Sequence, residues 1–213
     1  MSIDVTGQID ALTRKVSERE HEGKPRRVVT ATRTYATSPE DLWDAITRPE
    51  RLARWFSTVT GDLRLGGRFK TTDSVSGTVT TCDPPKTLAV TWEAWGDVSW
   101  VEAELTPAPD GGTSLKVEHI LSCRFFDRLH WRRFGAGATG VGWELWLLGL
   151  GQHVSTSSTF DLNGWSTSAE GKDFLKRASG DWCRAEIASG ESSAKANKRA
   201  ARAFAFYSRG AGH

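Results

Sequence analysis

The stretch that most constrains this chain is Thr139–His153, TGVGWELWLLGLGQH, which is apolar on nearly every side and carries one acid, Glu144, at its centre. Val141, Leu145 and Leu148 recur at helical spacing, and Trp143, Trp146, Leu147 and Leu150 fill the remaining faces. A helix apolar all round belongs inside a protein. Fifteen residues span about 22 Å, too short for a membrane and suited to crossing a sheet. Gly149 and Gly151 each cost roughly 1 kcal/mol of helix propensity, so packing has to hold this element.

Strands and a hairpin meander surround that helix in the sequence. Arg27–Ala36 has the alternation of a strand. Ser38-Pro39-Glu40-Asp41 reads as a helix start, with Ser38 as cap, Pro39 at the first position and two acids at the positive end. Arg48-Pro49-Glu50 restarts a second short helix. Strands are expected over Thr58–Leu63, Arg68–Asp73, Gly77–Cys82, Thr87–Trp95, Ser99–Thr106 and Thr113–Leu121. Turn-forming residues separate them, which indicates an antiparallel sheet. Leu115, Val117, His119 and Leu121 fall on one face of their strand. Val101, Ala103 and Leu105 likewise share a face, as do Leu88, Val90 and Trp92. A sheet with one apolar face needs a cover, and Thr139–His153 supplies one. Between sheet and helix, Ser122–Ala138 is basic and aromatic, and its length suits either a lid or mouth over a cavity or plain packing on the helix end, with Phe125 and Leu129 on one side of a short helix.

The ends are read separately. Residues 1–26 form a polar arm, either disordered or holding an amphipathic helix through Ile9, Leu12 and Val16. Residues 27–154 form the domain. Residues 155–213 form a helical extension packed on it, irregular over Thr156–Ser168, with helices over Ser168–Ser189 and Glu191–Tyr207. The basic residues after Glu191 read as a solvated face.

Composition excludes several functions. A net charge of +2 in 213 residues gives no strong pull toward nucleic acid or an anionic membrane. Three cysteines, Cys82, Cys123 and Cys183, lie far apart and lack metal or redox spacing. The start MSIDVTGQID lacks a basic, apolar leader, so a cytoplasmic protein without membrane insertion is expected. Ten Trp in the chain suit a pocket for flat or apolar ligands as well as a core.

Four segments carry a resemblance. SPEDLWDAITRPERLARWF (Ser38–Phe56), GDLRLGGRF (Gly61–Phe69), GTVTTCDPPKTLAVTW (Gly77–Trp92) and VEAELTPAPDGGTSLKVEH (Val101–His119) stand in order. They resemble the SRPBCC (START-like) superfamily. Within it they are similar to the family related to the C-terminal domain of the activator of the heat-shock-protein-90 ATPase, and GVGWELWLLGL looks like the helix that follows in bacterial members. The resemblance implies an α+β helix-grip fold, a curved antiparallel sheet around a long C-terminal helix with a cavity between. It also implies a small hydrophobic ligand and no cofactor, and it supplies no shared catalytic motif.

The cavity candidates are Phe69, Trp92, Trp100, His119, Trp143, Glu144 and Leu147. Trp100 fits least, since strict alternation puts it on the other face. Glu144 either pairs with an arginine or an indole N–H, reaches solvent at a helix edge, or serves the cavity as a polar contact or base. His119 reads as a satisfied core histidine or a site residue, and His130 and His153 are expected to flank the mouth. The spacing of these groups supports no metal site. A cyclase or hydrolase using Glu144 with a histidine is the second reading. A chaperone-interacting module ranks below it, because the eukaryotic activator carries a further N-terminal domain for which residues 1–26 are too short. A homodimer through the tail is left open.

Overall fold

The computed structural model describes residues 3–122, 124–156 and 159–209. Its frame is one eight-stranded antiparallel sheet in the order β1-β2-β8-β7-β6-β5-β4-β3. The strands are β1 (Leu12–His21), β2 (Lys24–Tyr35), β3 (Val59–Gly61), β4 (Arg68–Thr71), β5 (Ser76–Asp83), β6 (Thr87–Ala94), β7 (Asp97–Pro107) and β8 (Thr113–Ile120). Two short helices, α2 (Pro39–Thr47) and α3 (Pro49–Leu52), interrupt the sheet after β2. Ser38 caps α2 by accepting the Asp41 N–H, with Pro39 in the first turn, as the sequence predicts.

Register fixes the inward face. Val101 stands opposite Val90 and His119, Ala103 opposite Leu88 and Val117, and Trp92 opposite Ser99. Because side chains alternate, these residues share one side of the sheet. That side grips α5 (Gly137–Thr156), the long helix read from the sequence. Tyr35 Oη donates to the Leu147 carbonyl at 3.0 Å, tying β2 to the middle of α5. This is the helix-grip fold that the resemblance implies.

The opposite side of α5 is covered too. After α4 (Phe125–Phe134) and α5, the chain forms α6 (Leu162–Thr167), α7 (Ala169–Ala188) and α8 (Ser193–Tyr207). α7 and α8 lie against α5, and α7 also packs on β1. Phe174, Leu175, Ala178 and Trp182 of α7 are buried. Glycines let these helices approach closely. A Cβ on Gly140 would stand 2.3 Å from the Trp182 ring, and one on Gly142 would stand 2.9 Å from Tyr207 Oη. With the sheet on one side and α7–α8 on the other, α5 has to be apolar all round.

The N-terminal arm departs from expectation. The helix α1 covers only Val5–Asp10, and Leu12–His21 is a strand paired along its length with β2. Leu12 and Val16 are both buried. Their spacing of four residues fits a helix, but it is also a multiple of two and fits a strand equally. A turn at Glu22-Gly23, with φ of 50° and 70°, then folds β1 back onto β2. In the tail, the stretch expected to be irregular contains α6, while the two expected helices correspond to α7 and α8. Cys123 and the side chain of Phe125 lie outside the described residues.

Candidate functional site

Two adjoining chambers lie between the sheet, α5 and the flanking helices. The inner one is a cavity of about 130 Å³. Ile46 and Thr47 of α2, Leu52 of α3, and Trp55 and Phe56 just beyond close one side. Strands β4 to β8 supply Phe69, Val79, Leu88, Val90, Val101, Ala103, Leu115 and Val117, and α5 supplies Trp143 and Leu147. Thr47 is the one lining side chain with a polar atom besides the indoles. Phe69 can lie flat because Gly77 sits beneath it; a Cβ there would stand 2.7 Å from the ring.

The outer chamber is larger, about 550 Å³, and mixed in character. Its walls come from the β6–β7 turn (Trp95, Asp97), from α4 (Asp127, His130, Trp131), from the start of α5 (Thr139, Gly142, Trp146) and from the end of α8 (Phe206, Tyr207). Trp92 and Trp143 line both chambers and so stand between them. Their rings lie 5.8 Å apart, and Trp146 meets Trp143 edge-on at 5.1 Å and Phe56 edge-on at 4.9 Å.

A chain of hydrogen bonds fixes this partition. Trp143 Nε1, which can only donate, donates to His119 Nδ1 at 3.1 Å. The His119 proton is therefore on Nε2, which donates to Ser99 Oγ at 2.8 Å. Ser99 Oγ in turn donates to the Trp92 carbonyl at 3.3 Å. Each polar atom in the chain is satisfied, and together the links tie Trp143 to Trp92 through His119 and Ser99. Burial holds the His119 pKa down from 6.5 to about 4, partly offset by the charge of Asp127. The imidazole is thus neutral at physiological pH, the state in which Nδ1 can accept from the indole.

The seven sequence candidates separate cleanly. Phe69, Trp92, Trp143 and Leu147 line the inner chamber, and His119 lines the outer one. Trp100 does not join them. It projects from the other face of the sheet, 4.4 Å from the His21 ring and beneath the Arg26 guanidinium. Glu144 does not join them either. It is 2% exposed on the back of α5, paired with Arg14 of β1 through both carboxylate oxygens. Trp182 Nε1 also donates to it at 3.0 Å. Burial pushes the Glu144 carboxyl up, and Arg14 and Trp182 pull against that. A cavity base on Glu144 is thereby overturned: consecutive helix residues point about 100° apart, and with Trp143 turned to the sheet Glu144 meets α7 and β1.

Of the histidines expected at the mouth, His130 lines the outer chamber, while His153 is buried near α3, where Arg51 Nε donates to its Nε2 at 3.1 Å. The segment Ser122–Ala138 contributes to the outer chamber through α4, with Leu129 of that helix exposed. Sequence reasoning missed Ser99, although its place two residues before Val101 puts it on the inward face. Trp55 lines the inner chamber too, and its indole donates to the Ala45 carbonyl at 2.9 Å. Among the described residues, no three His, Cys, Asp or Glu side chains gather closely enough to hold a metal ion.

Comparison with known proteins places this architecture. The crystal structure of CalU16 from Micromonospora echinospora superposes with a TM-score of 0.64 at 28% identity, covering 83% of this chain and 99% of that one. Its solution structure gives a TM-score of 0.69 at 26% identity, with 85% and 97% covered. Protein MLL2253 from Mesorhizobium loti is 30% identical with a TM-score of 0.52, covering 62% of this chain and 99% of that one. No curated protein sequence matches the chain. The family model described as Activator of Hsp90 ATPase homolog 1-like protein matches residues 36–155, which span α2 to α5 and hold every residue lining the inner chamber and its partition. With more than half of its length matched, the chain belongs to the family of activator of Hsp90 ATPase homolog 1-like proteins.

Proposed function

We propose that this protein binds a small hydrophobic molecule with an aromatic or similarly flat end, held across the two chambers. The observation that carries the reading is the inner cavity of about 130 Å³, walled by apolar side chains and abutting a larger, partly polar chamber. An apolar cavity of about 150 Å³ stays dry and accepts benzene, so the inner chamber suits one ring or a short branched end. The outer volume lies in the range of roughly 300–1,000 Å³ usual for ligand sites. It would take the remainder of the molecule, with Trp95, Trp131 and Trp146 offering flat surfaces and Asp97, Asp127 and His130 offering polar contacts. Trp92 and Trp143 would grip the ligand where it passes between chambers. Glu144 takes no part, since Arg14 and Trp182 hold it behind α5.

The test is a titration of the full chain with flat aromatic compounds and straight-chain acyl compounds, read by Trp fluorescence. Saturable quenching by flat ligands is expected, because Trp92, Trp143 and Trp146 all border the path. Ala103→Phe, which fills the inner chamber, should abolish it while leaving the fold intact by circular dichroism. Saturable binding that Ala103→Phe leaves unchanged, or none from any member of the panel, would sink the reading.

A further inference from the structure

The turn between β6 and β7 holds an unusual residue. It is a two-residue connection, Trp95-Gly96, with φ of 50° and 80°. Such mirror-image turns suit the twist of a hairpin, and their first position favours Asn, Asp or Gly. A bulky aromatic in the left-handed region is disfavoured there. Burial does not compensate, since Trp95 is 71% exposed, with its ring stacked at 6.4 Å on His130 of α4. Backbone strain of this kind points toward a use for the side chain.

The neighbouring helix gives that use a chemistry. Among the described side chains, the exposed positions of α4 and its cap are Arg124, Arg128, Leu129, Arg132 and Arg133. Leu129 is 51% exposed. The one acid of α4, Asp127, turns inward, where its carboxylate accepts the Ser122 N–H at 2.6 Å. Among the described residues, Arg128, Arg132 and Arg133 have no carboxylate partner. Arg124 has only Asp97 at 3.9 Å, with 70% of its side chain exposed. The molecule as a whole carries only +2, so this charge is local. Trp95, His130 and Trp131 also line the outer chamber, so the turn and the inward side of α4 border its mouth while the arginines occupy the outward side of the same helix.

We propose that the β6–β7 turn and the exposed face of α4 form a docking surface for an anionic lipid bilayer, seating the outer chamber's mouth at the membrane interface. Trp sits readily at headgroup depth, and arginines on the neighbouring helix attract anionic headgroups. Leu129 among four arginines suits the boundary with acyl chains; on a nucleic acid it would meet phosphate. Among the described residues no helix is long and apolar enough to cross a membrane, so the contact is peripheral. The docking does not depend on what fills the chambers, and ligand-free vesicles test it directly.

The experiment is co-sedimentation of the full chain with vesicles of phosphatidylcholine alone and of phosphatidylcholine with phosphatidylglycerol. Binding is expected only to the anionic vesicles and should weaken as salt rises. Each arginine removed, as in Arg128→Gln with Arg132→Gln, should lower partitioning about fivefold. Trp95→Asn should lower it severalfold while leaving Tm unchanged or higher, because Asn suits the turn, so the loss cannot be ascribed to misfolding. Failure to bind anionic vesicles at low salt would overturn the proposal. So would vesicle binding indifferent to Trp95, or tighter binding to an oligonucleotide of equal charge, either of which would mark the face as a general polyanion surface.

Discussion

His119 offers the sharpest test of how the partition is built. His119→Phe keeps a ring of similar breadth but removes the acceptor for Trp143 Nε1 and the donor to Ser99 Oγ. Leaving a buried donor unsatisfied costs about 1–3 kcal/mol, and losing the second bond adds about 1 kcal/mol, so the variant should be about 2–4 kcal/mol less stable at pH 7.5. The pH dependence discriminates further. In the unfolded chain His119 titrates near 6.5; burial holds its native pKa at about 4. Above pH 6.5 both states are neutral and the wild type has its full stability. As pH falls from 6.5 toward 4, the unfolded chain takes up the proton while the native state resists. At 1.36 kcal/mol per pH unit, the interval amounts to about 3 kcal/mol lost by pH 4. The variant lacks this loss, so the stability difference measured by urea unfolding should shrink from about 3 kcal/mol at pH 7.5 to within about 1 kcal/mol at pH 4.5. Taking the difference between the two proteins cancels the histidines and carboxylates that do not act on His119, leaving Asp127 as the one carboxylate whose charge enters the difference. His119→Gln, which can both accept and donate, should recover part of the stability without the pH dependence. A wild-type-minus-variant difference that stays constant across this range would refute the neutral, hydrogen-bonded histidine.

Glu144→Ala leaves Arg14 buried beside Asp181 alone, and losing one partner of a buried pair costs roughly 3–5 kcal/mol; thermal unfolding should show the loss. Gly140→Ala places a methyl 2.3 Å from the fully buried Trp182 ring, and overpacking of that kind should destabilise by about 1–3 kcal/mol in urea titrations. Trp100→Ala removes a side chain on the outer face of the sheet, so fluorescence titrations should return an unchanged Kd once its own emission is subtracted. Val79→Phe, like Ala103→Phe, fills the inner chamber and should abolish binding of flat ligands in the same assay.

The parts of the fold that follow from local rules were readable. Ser38 and Pro39 start α2 because capping chemistry is local. Alternation placed Leu115, Val117 and His119 on the inward face of β8 because the side-chain period of a strand is two. The same rule put Trp100 outside, and the structure agrees with the rule over its inclusion among the cavity residues. β1 was not readable, since Leu12 and Val16 satisfy both periods and the deciding partner, β2, is recognised only once the turn at Glu22-Gly23 is formed. The size and division of the cavity were not readable either. They depend on Trp143 and Trp146 of α5, Trp92 of β6 and Phe56 beyond α3, brought together at ring distances between 4.9 and 6.0 Å.

α5 shows why a buried acid in an apolar helix is ambiguous until its partners are known. Trp143 and Glu144 are adjacent, so the helix cannot aim both at the sheet. Its rotation is set by which side can neutralise a carboxylate. The sheet side offers His119, which burial keeps neutral and which already accepts from Trp143. The far side offers Arg14, whose guanidinium also donates to the backbone carbonyls of Leu12 and Ile9, together with the Trp182 indole. An unpaired buried carboxylate costs far more than an indole turned toward a cavity, so the acid goes to the arginine and Trp143 goes to the chamber. The N-terminal strand and the C-terminal helices therefore act on the cavity without lining it deeply. By fixing Glu144 from behind, they fix the angle at which Trp143 and Leu147 face the space between helix and sheet.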